Sequence, residues 1–355
     1  MTTPPGVKIR KLERARVIEW FVTAPLSARS DCHRLLCAAG ATIVAEEVFG
    51  VAPARAERHD WPVTWLCVNP QLTGVQIHAV QGPVVNRIEK NGRVVGSVFD
   101  DGAARHCRLG GLSPAHNHGA PADQAQTTFA LLEAALCEAG MTFANVARTW
   151  FYLDHILTWY REFNQVRDRF FQERKVFAGL VPASTGIGSA NSSGAALVAG
   201  AYAVAGGELQ AVPSPLQCPA LQYGSAFSRA VELTMADQRR LWVSGTASIA
   251  PAGQTVHGGD VTGQIELTMQ VVAAILESRR LGWSDVSRAI AYVRTAAAAE
   301  QFQAYRVAQG LVDWPVVITE NVICRDDLLF EIEVDAGCVT AAKSRSESPG
   351  PTPAG

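Results

Sequence analysis

The chain has 355 residues, of which 48% are hydrophobic and 18% charged, with a formal net charge of −2. That balance describes a soluble globular protein with a large core and excludes a disordered chain. It gives no basic footprint for nucleic acid, and no apolar run reaches the ~20 residues that span a membrane. Met1 to Gly6 is Thr/Pro-rich and does not read as a secretory leader. The eight cysteines are scattered with no CxxC pair, so neither a zinc knuckle nor a disulfide framework is indicated. A reducing cytoplasm is the expected compartment, and neither a metal nor a cofactor is expected.

In chain order, residues 1–72 read as an N-terminal extension. It opens on a flexible tail of about nine residues and holds a short amphipathic stretch from Cys32 to Cys37. Residues 73–212 and 213–342 read as two copies of one unit, and the Ser/Pro/Gly-rich segment 343–355 as a disordered tail. The duplication rests on a constant offset of 140 residues (292 − 152). At that offset Gln124 falls on Gln264, Thr128 on Thr268, Val146 on Val286, Arg148 on Arg288 and Tyr152 on Tyr292.

Each copy opens with strands, such as Val75–Val80 and Leu241–Gly245. In the second, Gly/Pro loops such as Pro251-Ala252-Gly253 then lead to a long helix. There Ile265, Met269, Val272 and Ile275 or Leu276 recur at helical spacing behind Asp260, a candidate N-cap. A strand from Arg288 to Val293, a helix containing Phe302 and Tyr305, and a last strand complete the unit. The pattern fits an α+β fold with helices on one face of each sheet.

The copies diverge in their last strands. The second ends in Phe330-Glu331-Ile332-Glu333-Val334, the first in Leu197-Val198-Ala199-Gly200-Ala201-Tyr202, with no carboxylate. Alternation puts Phe330, Ile332 and Val334 on the helix side and Leu329, Glu331 and Glu333 on the other. Those acids are either solvated, or covered by the other copy, where burial would raise the pKa and suit Glu331 to proton donation. Cys324 reads either as a small buried hydrophobe or as a site residue, and Arg325 as a turn cation. Arg148, Arg288 and Arg294 lie on strands, where they either form structural ion pairs or bind an anion. His116-Asn117-His118 lacks a third ligand and reads as a polar loop. Ser184-Thr185-Gly186-Ile187-Gly188 lacks the lysine of a phosphate loop and reads as a connection.

The second copy resembles the YjgF/RidA family through Phe227-Ser228, Val243-Ser244-Gly245, Gly259-Asp260-Val261 with Gln264, and Glu331-Ile332-Glu333. That resemblance implies a chorismate-mutase-like fold with sites between units. Deaminases of that family carry an arginine shortly after a proline, whereas here Trp314-Pro315 runs into Val316-Val317-Ile318, which disfavours imine deamination. The whole chain resembles the chorismatases, which fuse two such units. The carrying stretches are Arg148-Thr149-Trp150-Phe151-Tyr152-Leu153-Asp154, Pro182 to Gly188, Ser244-Gly245-Thr246-Ala247-Ser248, and Cys324 with Glu331.

This resemblance implies cleavage of the enolpyruvyl ether of chorismate to pyruvate and 3-hydroxybenzoate. Hydrolysis to a dihydrodiol acid is the alternative, and a non-catalytic binding module is a third reading. It implies Glu331 as the acid and Cys324 as a director of product. Arg148, Tyr152, Arg294, Ala247 and Tyr202 are the implied substrate contacts, with Arg148 and Arg294 on the two carboxylates. Chorismate would be the small-molecule partner, with no nucleic acid and no membrane. Fusion within one chain favours a monomer, with a trimer as the alternative.

Overall fold

The computed structural model describes residues 4–51 and 58–340, so the expected tail at 343–355 lies outside the described residues. Three mixed sheets form, each with helices on one face. The first contains β1 (Lys8–Glu13), β2 (Ile18–Ala24), helix α1 (Arg29–Ala38), β3 (Thr42–Gly50), β4 (Val63–Cys67) and β5 (Gly74–Gln81). The second contains β6 (Val85–Lys90), β7 (Arg93–Asp100), β8 (Arg105–Leu112), α2 (Pro121–Glu138), β9 (Val146–Leu153), α3 (Ile156–Glu173) and β10 (Ala183–Gly188). Its chain then gives the short β11 (Ala190–Asn191) and β12 (Leu197–Ala205). The third contains β13 (Glu208–Val212), β14 (Ala230–Thr234), β15 (Gln238–Ala247), α4 (Val261–Ser278), β16 (Val286–Val293), α5 (Ala296–Ala308), β17 (Val316–Glu320) and β19 (Phe330–Val339), its chain also giving the short β18 (Val322–Ile323) that joins the second sheet.

The second and third sheets share one strand order. β6-β7-β8-β12-β9-β10 matches β13-β14-β15-β19-β16-β17, with β9∥β10 and β16∥β17 as the parallel pairs. The matched glutamines do the same work in both. Gln124 Oε1 accepts from Ala196 N at 2.9 Å and Gln264 Oε1 from Leu329 N at 2.8 Å, each fixing the approach to its last strand. Asp260 caps α4 by accepting from Gly263 N at 3.0 Å. The α4 stripe of Ile265, Met269, Val272 and Ile275 packs on Phe330, Ile332 and Val334, the burial that holds helix to sheet.

The N-terminal part is more than an extension. Its order β1-β2-β5-β3-β4, with α1 between β2 and β3 and β3∥β4, is a shortened third copy of the same unit. Strand Gly74–Gln81 closes this sheet between β2 and β3 rather than opening the next one. The expected flexible tail also ends early, since β1 starts at Lys8 and pairs along its length with β2. Ser184 to Gly188, read as a connection, is strand β10. Gly188 is there for close approach: a methyl group at that position would meet Ile156 at 2.5 Å.

The three units close into a ring. β11 of the second unit extends the first sheet at β4, and β18 of the third extends the second at β10. Asn69, just before β5, donates to Glu320 at the end of β17 at 2.9 Å and completes the cycle. The sheet faces meet inside. A buried ionic network there draws Glu47 from the first unit, Arg108 from the second, and Arg240, Arg288 and Asp335 from the third.

Candidate active site

Glu331 and Glu333 both point from β19 into the interior, with exposures of 5% and 0%, so their face of the sheet is covered. Glu333 is fully engaged. It accepts from Arg148 at 2.9 Å and Trp150 Nε1 at 2.8 Å and pairs with Arg288 at 2.7 Å. Burial opposes its charge, yet Arg288 and Arg148 hold it below the usual carboxylate range. Glu331 has no such partner among the described residues. Burial, then the charge of Glu333, push its pKa up to about 8, against a smaller opposing effect of Arg148.

Glu331 faces a cleft between the second and third units that encloses about 610 Å³ of space outside protein atoms, part of it open to solvent. Ser184 and Gly186 of β10 form one wall, Gly245 and Ala247 of β15 the other. The walls are tied together. Gly245 N donates to Thr185 Oγ1 at 3.1 Å and Ser184 N to Ser244 Oγ at 2.9 Å. The ladder slips by a bulge between Val243 and Thr246, which brings Ala247 opposite Glu331. Gly245 leaves the space that the acid occupies, since a methyl group there would lie 2.0 Å from Glu331 Oε1.

Cys324 lines the same cleft, and burial, then the nearby Glu331, push its thiol up to about 12. It is therefore a neutral thiol at physiological pH, with the Tyr160 hydroxyl beside it.

Three cations line the cleft. Arg167 of α3 and Arg229 just ahead of β14 are 3% and 4% exposed. Nη2 of Arg167 and Nη2 of Arg229 are buried without a hydrogen-bond partner, a costly condition for guanidinium nitrogens, while Arg167 Nε pairs with the adjacent Asp168 at 3.5 Å. Arg325 donates to Gly253 O at 2.9 Å and lines the cleft too, rather than closing a turn with Asp326 or Asp327. Such a site is poised for an anion.

Glu331, Cys324 and Ala247 thus come together, and four other expected residues do not. Arg148 is wholly buried, bonded to Glu333 and to Thr185 behind the acid. Arg294 pairs with the exposed Asp326 at 3.3 Å outside the cleft lining, so the two arginines do not share a cavity. Tyr152 is packed in the interior, where burial raises its pKa and its hydroxyl meets that of Tyr292. Tyr202 bonds to His106 and Arg240 at 3.1 and 3.0 Å in the central network. Strand position alone did not tell which neighbour each side chain meets. Arg167 was legible in principle, because it lies between Phe163 and Phe170 on the buried stripe of α3, where a charge needs a reason.

His116 and His118 are exposed, and no cluster of metal-ligating side chains occurs among the described residues. No helix among them is long and apolar enough to cross a membrane.

Residues 98–199 match the family model described as chorismatase FkbO/Hyg5-like, N-terminal. A chorismatase of Streptomyces rapamycinicus is 30% identical over 219 residues, covering 54% of this chain and 64% of that protein. A 3-hydroxybenzoate synthase of Streptomyces hygroscopicus is 26% identical over 234 residues, 58% of this chain and 66% of the relative. These matches span just under two thirds of each relative's length. In fold, a chorismatase crystal structure at 1.08 Å resolution superposes with a TM-score of 0.65 at 24% identity, covering 83% of this chain and 93% of that one. The family model over residues 98–199, the relatives and the shared fold agree on what this chain is similar to, the chorismatases.

Proposed function

We propose that this protein cleaves the enolpyruvyl ether of chorismate, releasing pyruvate and 3-hydroxybenzoate. The observation that carries the reading is Glu331, a buried carboxyl held protonated up to about pH 8 in a cleft lined by three arginines. Chorismate carries two carboxylates, and Arg167, Arg229 and Arg325 supply the matching charge. Glu331 delivers its proton to the methylene carbon of the enol ether, giving an oxocarbenium ion. The carboxylate it leaves behind stabilises that cation.

The ether C–O bond then breaks. The neighbouring ring hydroxyl takes part, the ring loses a proton and aromatises, and pyruvate departs. The two products account for every atom of chorismate, so no water is consumed. Cys324 stands beside Glu331 as a neutral, poorly hydrated group that keeps water from the cation. Hydrolysis to the dihydrodiol acid is the second reading, favoured by Ala247 opposite Glu331, a small side chain that leaves room for water. One chain already closes the three-unit ring, which supports a monomer, and the cysteine chemistry suits a cytoplasmic location.

The test is incubation with chorismate, pyruvate being followed by a coupled dehydrogenase and the ring product by chromatography. Absence of pyruvate would sink the proposal, and a dihydrodiol as the main product would select the second reading.

A further inference from the structure

The ring of three units creates three joints, and the cleft described above occupies one of them. The joint between the first and second units repeats its construction. There Gly111 N donates to Thr64 Oγ1 at 2.9 Å, as Gly245 N does to Thr185 Oγ1 at 3.1 Å. Both glycines sit in a bulge ahead of the same pairing, Leu112 with Ala199 and Thr246 with Ile332. Counting from those pairs, Val198 stands where the third unit has Glu331, and Ser113 where it has Ala247. Through Thr64, Val63 and Trp65 take the places of Ser184 and Gly186. Ser192 follows β11 as Cys324 follows β18.

An open cavity lies at this second joint, enclosing about 1280 Å³ against about 610 Å³ at the first by the same measure. Trp61, Trp65, Val63, Arg93 and Ser192 are among its walls. At the third joint, by contrast, Gly74 is pressed against Val317, which a methyl group would meet at 3.0 Å.

The second cavity keeps the architecture and changes the chemistry. Val198 holds the acid position behind the cavity walls, and the carboxyls that do line the cavity are those of Asp60 and Glu89. A cation takes the acid's neighbourhood: Arg93 donates to Ser113 Oγ at 3.3 Å. Arg93 is an exposed side chain that forms no salt bridge with a carboxylate among the described residues. The tryptophan N–H groups are spent on the protein, Trp61 on Glu46 at 3.2 Å and Trp65 on the Val51 carbonyl at 3.1 Å. The rings are partly engaged, Trp61 by His33 and His59 at 5.1 and 5.6 Å and Trp65 by the Arg29 guanidinium at 5.1 Å, and the ring surface left toward the cavity suits a flat apolar partner.

We propose that this cavity is a second, non-catalytic binding site for a planar aromatic carboxylate, its ring against Trp61 and Trp65 and its carboxylate on Arg93. The site does not depend on the reaction proposed above.

Benzoate is a sufficient probe, titrated by calorimetry into the full chain and into Ser192→Trp, which fills the cavity from an exposed position. A second variant, Arg93→Ala, removes the cation. Arg229→Ala marks binding at the first cleft, and chorismate cleavage is measured on every sample. The expected result is a benzoate site that survives Arg229→Ala. It is lost in Ser192→Trp and weakened roughly tenfold in Arg93→Ala, as befits a charge-assisted hydrogen bond. Cleavage should be unchanged in the last two variants. Benzoate binding identical in the wild type and Ser192→Trp would overturn the site. A chain that cleaves no chorismate yet loses benzoate binding in Ser192→Trp would uphold the site and reject the reaction.

Discussion

Glu331 and Glu333 stand two residues apart on one face of β19, yet only Glu333 has cations in contact, Arg148 at 2.9 Å and Arg288 at 2.7 Å. Their pKa values are driven in opposite directions, Glu333 down and Glu331 up to about 8. Separation of two neighbouring carboxyls in this way sets one as a fixed anion and the other as a proton donor.

The first prediction is that Glu331→Gln lowers pyruvate release by roughly 10²–10⁴-fold, the range for general acid catalysis, with little change in KM. In the wild type, kcat/KM should fall as pH rises through about 8, where the free enzyme loses this proton. Retention of full activity in Glu331→Gln would remove the residue from the mechanism.

The same shift has a stability consequence. Below the ordinary value of 4.5 both folded and unfolded chains hold the Glu331 proton, and burial of the acid carries no ionic penalty. Between 4.5 and about 8 the unfolded chain gives up the proton while the folded chain keeps it, so folding weakens as pH rises. Glu331→Gln escapes this. It should gain stability relative to the wild type across that window, on the order of a few kcal/mol by pH 8, and no further above it. Denaturant unfolding of both proteins at pH 5, 7 and 9 is the measurement, and a difference independent of pH would refute the assignment.

Substrate affinity should depend on the cleft cations. Arg167→Ala and Arg229→Ala are each expected to raise KM for chorismate by roughly tenfold to a hundredfold, as for a lost charge-assisted hydrogen bond. Arg294→Ala breaks only a pair with the exposed Asp326 and should leave KM within about twofold. Steady-state kinetics on the three variants distinguishes the two groups.

Gly245→Ala tests the packing of the acid. The added methyl would fall 2.0 Å from Glu331 Oε1, so the carboxyl must move. The expected outcome is a folded protein whose kcat falls by at least about tenfold, since misplaced catalytic groups lose rate steeply. Wild-type kcat would show that the acid tolerates displacement.

Cys324→Val leaves the acid in place. Ether cleavage should persist while the ratio of dihydrodiol to 3-hydroxybenzoate changes, read by chromatography. An unchanged ratio would take Cys324 out of product control.

Sequence alone determined the helices and most strands of the duplicated pair, though not strand β10. The residues at the 140-residue offset do occupy equivalent positions, Gln124 and Gln264 down to the same hydrogen bond. Helix and strand periods are local properties, and an acid on an alternating strand is visible within seven residues. It also singled out Glu331, Cys324 and Ala247, which line one cleft.

The tertiary structure decided what long-range pairing controls. The first unit went unrecognised as a copy because no described helix joins β3 to β4, and the offset that linked the other two does not extend to it. Whether an arginine serves a ligand or a neighbour depended on what lies across the interface. Arg148 met Glu333 from another unit, 185 positions away in sequence, while Arg167 keeps Nη2 without an acceptor and meets only the adjacent Asp168 through Nε at 3.5 Å. A strand records which face a side chain takes, and only the packed sheets supply the partner that neutralises it or leaves its charge for a ligand.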